Sequence, residues 1–201
     1  MAIQYSRGCP FHCELCDVVE LFGRRPRVKT TAQILAELDA IAATGFRGTV
    51  FFVDDNFIGN RRSVRELLPA IAAWQREHGS PFELYTEASV NLAADTTLVA
   101  AMVDAGFRAV FLGIESPSTA ALAGAGKKQN VEVDLPRAID SLIRAGIEVM
   151  GGFIVGFDSD EPAVFAAQRA LIQGSAIPLP MVGLLMALPN PRLHTPLERE
   201  G

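Results

Sequence analysis

Three stretches of the chain repeat one pattern of apolar and polar positions. In each, apolar residues at helical spacing lead to a glycine, and an apolar run without alternation follows it. A glycine in that place is typical of the left-handed residue that ends a helix, and an unbroken apolar run is typical of a parallel strand buried on both faces. The glycines and the runs after them are Gly45 with 50–53, Gly106 with 110–114, and Gly146 with 149–155.

Three further apolar runs bring the predicted strands to six. They cover 3–6, 82–88 and 181–188, and the segments between strands supply about five helices, one of which contains Pro69 and should be kinked or delayed there. Strands that alternate with helices predict an α/β fold with a parallel sheet and right-handed crossovers. Because eight units close a full barrel, six predict a partial, TIM-like (βα)6 barrel. A doubly wound sheet is the alternative.

Composition narrows the choice of function. The chain has 201 residues, of which 49% are hydrophobic, and no linker divides it, so we expect one domain over 1–201. A net charge of −5 argues against a general nucleic-acid surface. Neither a signal segment nor an apolar run of about 20 residues is present, which predicts no membrane span and a cytoplasmic location. Since strands begin and end close to both termini, we expect the core of a longer protein.

All three cysteines, Cys9, Cys13 and Cys16, fall within eight residues. An odd number without a distant partner argues against a disulfide framework and indicates a set of metal ligands. Three thiolates can hold three corners of a [4Fe–4S] cluster and leave the fourth iron open. The alternative is structural zinc, which would need a fourth ligand such as His12 or His78.

The spacing Cys-x-x-x-Cys-x-x-Cys after a first strand resembles the signature of the radical S-adenosylmethionine (SAM) superfamily. The stretches "VDDNFIGN", "TEASVNLA", "GIESPS", "GGFIVGFDSD" and "LPNPRLHTPL" resemble strand-end motifs of its cobalamin-binding branch, which includes hopanoid and bacteriochlorophyll methylases. The resemblance implies a partial barrel in which SAM chelates the open iron and is cleaved to a 5′-deoxyadenosyl radical. It also implies an electron donor, a small-molecule substrate such as a lipid or a tetrapyrrole, and cobalamin held by a domain absent from this chain.

The same resemblance assigns strand-end residues to SAM. Asp55 and Asn56, after the second strand, match residues that contact the amino group, and an Asx turn is the alternative. Glu115 and Ser116, after the fourth strand, match residues that bind the ribose hydroxyls and the carboxylate. Ser116 as a helix N-cap before Pro117 is the alternative there.

The adenine contacts are expected on the fifth strand. Gly152, Ile154 and Gly156 match the first three positions of the motif GxIxGxxE, whose acid is replaced by Ser159 between two aspartates. Leu15 stands where the superfamily usually has an aromatic residue, which leaves the ring that stacks on adenine unassigned. Glycines within a strand equally mark a bend.

Four further features complete the predicted site. Glu87 and Asn91, after the third strand, are expected to line the cavity, and His194 is expected at the surface. The basic run Arg24, Arg25, Arg27 and Lys29 fits either a solvated loop or a contact with a cobalamin domain.

Three hypotheses follow. The leading one is the radical SAM core of a cobalamin-dependent methylase. The second is a radical SAM enzyme without cobalamin, of the methylthiotransferase or rearrangement type. The third is a zinc-stabilised binding module.

Overall fold

Six parallel strands form one sheet in the computed structural model, which describes residues 1–186. The strands of the chain are β1 (Ala2–Ile3), β2 (Ser6–Arg7), β3 (Arg27–Val28), β4 (Gly48–Phe52), β5 (Phe82–Ala88), β6 (Phe107–Glu115), β7 (Glu148–Val155) and β8 (Leu179–Leu184). The helices are α1 (Val18–Phe22), α2 (Thr31–Ala43), α3 (Arg61–Glu77), α4 (Thr96–Asp104), α5 (Thr119–Gly124), α6 (Lys128–Val131), α7 (Leu135–Arg144) and α8 (Ala163–Gly174). Two 3₁₀ turns, Phe57–Asn60 and Val90–Leu92, precede α3 and α4.

The order of the strands decides between the two predicted folds. The sheet runs β1-β4-β5-β6-β7-β8 with every neighbouring pair parallel, while β2 and β3 pair separately as an antiparallel ribbon. A doubly wound sheet reverses its strand order at a switch point, and this order advances in one direction. The prediction of a partial α/β barrel is therefore confirmed.

Alternation along β6 shows how the strands divide their two faces. Val110, Leu112 and Ile114 are fully buried in the main apolar core. Their neighbours Phe111 and Gly113 line a pocket at the carboxyl end of the sheet. Because side chains alternate along a strand, one side of β6 holds the fold together while the other is available for chemistry.

The three repeated glycines end helices as predicted. Gly45, Gly106 and Gly146 follow the C-cap residues of α2, α4 and α7, with φ of +78°, +96° and +94°. A side chain at these left-handed positions would strain the backbone. Each helix therefore stops at a defined residue and turns directly into the next strand.

The first strand is shorter than predicted. The sequence indicated a strand over 3–6, but β1 ends at Ile3 and Ser6 pairs instead with Val28 of β3. The cause is the fully buried carboxylate of Asp54, which accepts hydrogen bonds from the backbone N–H groups of Tyr5 (2.9 Å) and Ser6. Asp54 thus turns the chain away from the sheet and into the cysteine loop.

Two other elements differ from expectation. Helix α3 begins at Arg61 and continues through Pro69 to Glu77 without delay, and Pro69 lies on the exposed side of the helix. The last strand covers Leu179–Leu184, two residues earlier than the start predicted from sequence, and positions 187 and 188 of that prediction lie outside the described residues. Within residues 1–186, none of the helices combines the length and apolar character required to span a bilayer.

Candidate active site

A pocket of about 180 Å³ lies between the cysteine loop and the carboxyl ends of β4, β5 and β6. Parallel α/β folds place their chemistry at this end of the sheet. Seven of the residues predicted from sequence line the pocket together: Cys9, Cys13, Cys16, Asp55, Asn56, Glu87 and Glu115. Residues that are up to about a hundred positions apart therefore meet at one site.

The three cysteines are free thiols, each half-buried. Burial raises the pKa of the Cys9 and Cys16 thiols, although backbone N–H groups of Phe11 and Val18 partly oppose the effect. Both thiols are therefore protonated at neutral pH, and a metal that binds them must displace protons.

The arrangement of these thiols bears on which metal group fits. Among the described residues, no group of three or more His, Cys, Asp or Glu side chains is placed to hold a single metal ion. An iron–sulfur cube does not require the three thiolates to meet at one metal ion, since each thiolate binds a different iron. Three free thiols spread along one pocket fit that requirement.

The zinc alternative loses one of its two proposed fourth ligands, His78. His78 ends α3, where its ring stacks on Trp74 at a centroid distance of 4.2 Å and its Nδ1 lies 2.8 Å from the Trp74 carbonyl oxygen. Trp74 in turn stacks on Phe82, the first residue of β5. His78 therefore lies at the amino end of the sheet, opposite the cysteines.

Asp55 and Glu87 give the pocket a negative wall. Asp55 is exposed and Glu87 is half-buried, and the partial loss of solvent around each carboxyl group is the main cause that raises its pKa. The charge of Asp55 raises the pKa of Glu87 further. Such a wall favours a cationic ligand, which would lower these pKa values again.

We expect the stability of the protein to depend on the protonation of Glu87. Its pKa is higher in the folded than in the unfolded state, so the folded state binds the proton more tightly. Unfolding free energy should therefore fall as the pH rises from the ordinary glutamate pKa through the raised one. Chemical unfolding at a series of pH values should show a shallower dependence for Glu87→Gln than for the wild type.

Glu83→Gln is the matched control, because Glu83 is exposed on the same strand. Its pH profile should follow the wild type. The other charged residues of the pocket, Asp55, Glu115 and Lys127, stay in place in both variants. Parallel profiles for Glu87→Gln and wild type would disprove the role of Glu87.

Glu115 forms a buried ion pair that the sequence analysis missed. Its Oε1 contacts the Nζ of Lys127, and each side chain is 11% exposed. A Cβ at Gly113 would come within 2.5 Å of Glu115 Oε1 and 2.6 Å of Lys127 Nζ, so the glycine leaves room for the pair. Glu115 itself has φ of +67°, a strained conformation of the kind that clusters at functional sites.

Ser116 is fully buried, and the alternative of an N-cap at this residue is wrong. Its hydroxyl accepts a hydrogen bond from the N–H of Ser118 at 3.2 Å. Ser118 is the N-cap of α5, and its own hydroxyl accepts from Ala121 N at 3.2 Å. Ser116 shapes the turn between β6 and α5.

The glycines of β7 make room for aromatic and apolar side chains. A Cβ at Gly152 would lie 2.6 Å from the ring of Phe111. Ile154 packs in a small apolar cluster with Leu15, Phe157 and Leu185. A second cavity of about 130 Å³ is lined by Leu15, Phe157 and Leu185 from this cluster, so an aromatic ring lies beside the position where the cysteine loop has leucine.

An aspartate one residue beyond the position of the missing acid shapes the loop after β7. Asp160 Oδ2 accepts hydrogen bonds from the N–H groups of Gly156 (2.8 Å) and Phe157 (3.1 Å). Gly156 has φ of +103°, which permits this tight return of the chain. The loop after β7 is therefore closed by Asp160 instead of a residue at position 159.

The remaining predicted features lie at the margin of the site. Arg24, Arg25 and Arg27 are exposed, and Arg27 belongs to β3 instead of a loop. Arg24 Nη2 donates to the Pro10 carbonyl at 3.2 Å and so supports the cysteine loop. Lys29 pairs with Glu37. His194 lies outside the described residues.

Comparison with known proteins adds the family. A model of the radical SAM superfamily matches residues 3–166, which include the three cysteines and strands β2 to β7. The chain belongs to the radical SAM superfamily. Membership implies the two cofactors expected from the sequence, a [4Fe–4S] cluster and SAM.

Two curated relatives bear out the resemblance to the methylase branch of this superfamily. An uncharacterized methyltransferase of Synechocystis sp. is 47% identical over 201 residues. The hopanoid C-2 methylase of Rhodopseudomonas palustris is 43% identical over 200 residues. Each match covers 100% of this chain and 38% of the relative, so the chain spans well under half the length of these relatives.

A solved radical SAM structure has the same fold. The methyltransferase TsrM from Kitasatospora setae, with cobalamin and a [4Fe–4S] cluster bound, superposes with a TM-score of 0.83 at 19% identity. The superposition covers 99% of this chain and 36% of that one. At this identity the likeness is evidence for the fold of the radical SAM core.

Proposed function

We propose that the chain is the radical SAM core of a cobalamin-dependent methylase. The observation that carries the proposal is the pocket at the strand ends, where three free thiols face carboxylates and a buried lysine. Cys9, Cys13 and Cys16 would hold the cluster, one thiolate on each of three irons. When bound, the cluster and SAM supply one-electron chemistry that activates an unreactive carbon of the substrate.

The charges of the pocket suit SAM. Three acidic residues, Asp55, Glu87 and Glu115, face one basic residue, Lys127. Asp55 and Glu87 would bind the ammonium group, and their negative charge also complements the sulfonium. Lys127 would hold the Glu115 side chain oriented toward the ribose hydroxyls. Its ammonium also lines the pocket, where it would attract the SAM carboxylate.

The apolar cluster beside this pocket would take the adenine ring. Ile154 and Leu15 offer apolar faces, and Phe157 supplies an aromatic ring. Gly152 keeps this part of β7 free of side chains, because Phe111 fills the space that a Cβ would need. Asp160 holds the loop that carries Phe157 in place.

For the whole protein, the proposal also includes a bound cobalamin and a substrate that receives the methyl group. The cobalamin bound to TsrM and the name of the R. palustris relative support methyl transfer from cobalamin to a polycyclic lipid. We expect these 201 residues to bind no cobalamin tightly. None of the three histidines, His12, His78 and His194, stands in the D-x-H-x-x-G pattern of a cobalamin-binding loop.

Reconstitution tests whether this chain binds the cluster and SAM without binding cobalamin. The protein, loaded anaerobically with iron and sulfide, should show the broad visible absorption of a [4Fe–4S] centre and release 5′-deoxyadenosine slowly when SAM and a reductant are added. Protein incubated in parallel with hydroxocobalamin should retain no cobalamin after gel filtration and should show no methyl transfer. Zinc without iron in the purified protein would contradict the radical SAM assignment, and tight retention of cobalamin would contradict the need for another domain.

A further inference from the structure

Two side-chain amides point at cysteine sulfurs. Asn56 Nδ2 lies 3.7 Å from Cys9 Sγ, and Gln129 Nε2 lies 3.5 Å from Cys13 Sγ. Both distances suit N–H···S hydrogen bonds, which are longer than bonds to oxygen because sulfur is larger.

A chain of hydrogen bonds fixes the orientation of Asn56. The Ser89 hydroxyl donates to Asn91 Oδ1 at 2.7 Å, so its oxygen is left to accept from Asn56 Nδ2 at 3.3 Å. Asn56 and Ser89 are both buried, at 3% and 8% exposure. With one amide hydrogen used by Ser89, the other is directed at Cys9.

Gln129 is held by a different element. It lies on α6, whose next residue, Asn130, donates from Nδ2 to the carbonyl oxygens of Gly113 (2.9 Å) and Ile114 (3.2 Å). These bonds fasten α6 to the end of β6. The Gln129 amide therefore approaches Cys13 from a fixed support.

We propose that Asn56 and Gln129 are positioning residues that raise the reduction potential of the cluster by donating hydrogen bonds to the thiolates of Cys9 and Cys13. The inference rests on the proposed function. Reduction adds an electron whose charge is shared by the sulfur atoms, so N–H donors stabilise the reduced cluster more than the oxidised one. The donors would thereby ease the transfer of the electron that the reaction consumes.

The test is a redox titration of the reconstituted cluster without SAM, in which the EPR signal of the reduced form measures the fraction reduced at each potential. Gln129→Leu removes one donor, and we expect the equilibrium constant for reduction to fall about tenfold, which is about 59 mV for a one-electron couple. Gln129→Glu, similar in shape but negatively charged, should lower the potential further. Gln173→Leu, at an exposed position of α8, is the matched control and should not change it.

Iron content separates the possible failures. A Gln129→Leu protein with a full cluster and the wild-type potential would overturn this inference and leave the proposed function intact. A wild-type protein that assembles no cluster would overturn both. If Gln129→Leu loses its cluster, Asn56→Ala decides, because it removes the other donor: a lowered potential supports the inference and an unchanged one overturns it.

Discussion

Replacing any one of Cys9, Cys13 and Cys16 with alanine should abolish the [4Fe–4S] cluster and bring SAM cleavage to the background of iron-free protein. Each thiolate is expected to bind a different iron, so the remaining two cannot complete the set. Iron analysis, visible absorption and release of 5′-deoxyadenosine after anaerobic reconstitution measure the effect. It is the largest functional loss that we expect from a single substitution.

Folding should survive these substitutions, which keeps the test interpretable. The thiols are only half-buried, so each Cys→Ala change removes one sulfur atom from a partly open pocket. Circular dichroism and the unfolding midpoint of iron-free protein should stay close to wild type, because surface-accessible changes usually alter stability by less than about 0.5 kcal/mol. A full cluster in any of the three variants would show that the ligand set is assigned wrongly.

The second large effect concerns the buried pair of Glu115 and Lys127. Glu115→Ala leaves the Lys127 ammonium without its partner at 11% side-chain exposure. Loss of one member of a buried ion pair typically destabilises by about 3–5 kcal/mol. We also expect SAM affinity to fall by about 1.5–3 kcal/mol, the usual worth of hydrogen bonds to a charged group.

Two measurements separate the structural from the ligand-binding part. Denaturant unfolding reports stability, and equilibrium dialysis of SAM reports affinity for the reconstituted protein. The double variant Glu115→Gln with Lys127→Met replaces two charges by neutral groups and should recover most of the stability without recovering SAM affinity. Glu148→Ala, at the exposed amino end of β7, is the control and should change neither quantity. Full SAM affinity in the double variant would remove Glu115 from the binding site.

The fold could be predicted because its signals are local. Gly45, Gly106 and Gly146 each mark a helix end within a few residues of the next buried strand, and the order of such units determines a parallel sheet. The predicted length of the first strand was wrong because that length depends on Asp54, a residue 48 positions from Ser6. No pattern near Ser6 indicates that a buried carboxylate will take its backbone N–H.

Site residues could be predicted where a short, specific spacing identifies them, and could not be predicted where no such spacing exists. The cysteines are recognisable from three positions in one loop. Lys127 and Gln129 lie in a segment with no apolar period, and Gln129 reaches a cysteine 116 residues away. Asp160 was noted only as one of two aspartates beside Ser159, because the sequence does not tell which of them accepts the backbone N–H groups of the loop after β7.

The residues at positions 113, 115 and 127 should be inherited together, because they share one space in the protein. The tips of Glu115 and Lys127 occupy the space that a side chain at position 113 would need. An alanine there would push the two charged groups apart inside the protein, whereas the backbone could stay where it is. A lineage that acquires a side chain at this position should therefore also lose the acid two residues later or the lysine fourteen residues later. Glycine, glutamate and lysine at this spacing form a signature that can be sought in related chains, and we expect the three to appear or disappear together.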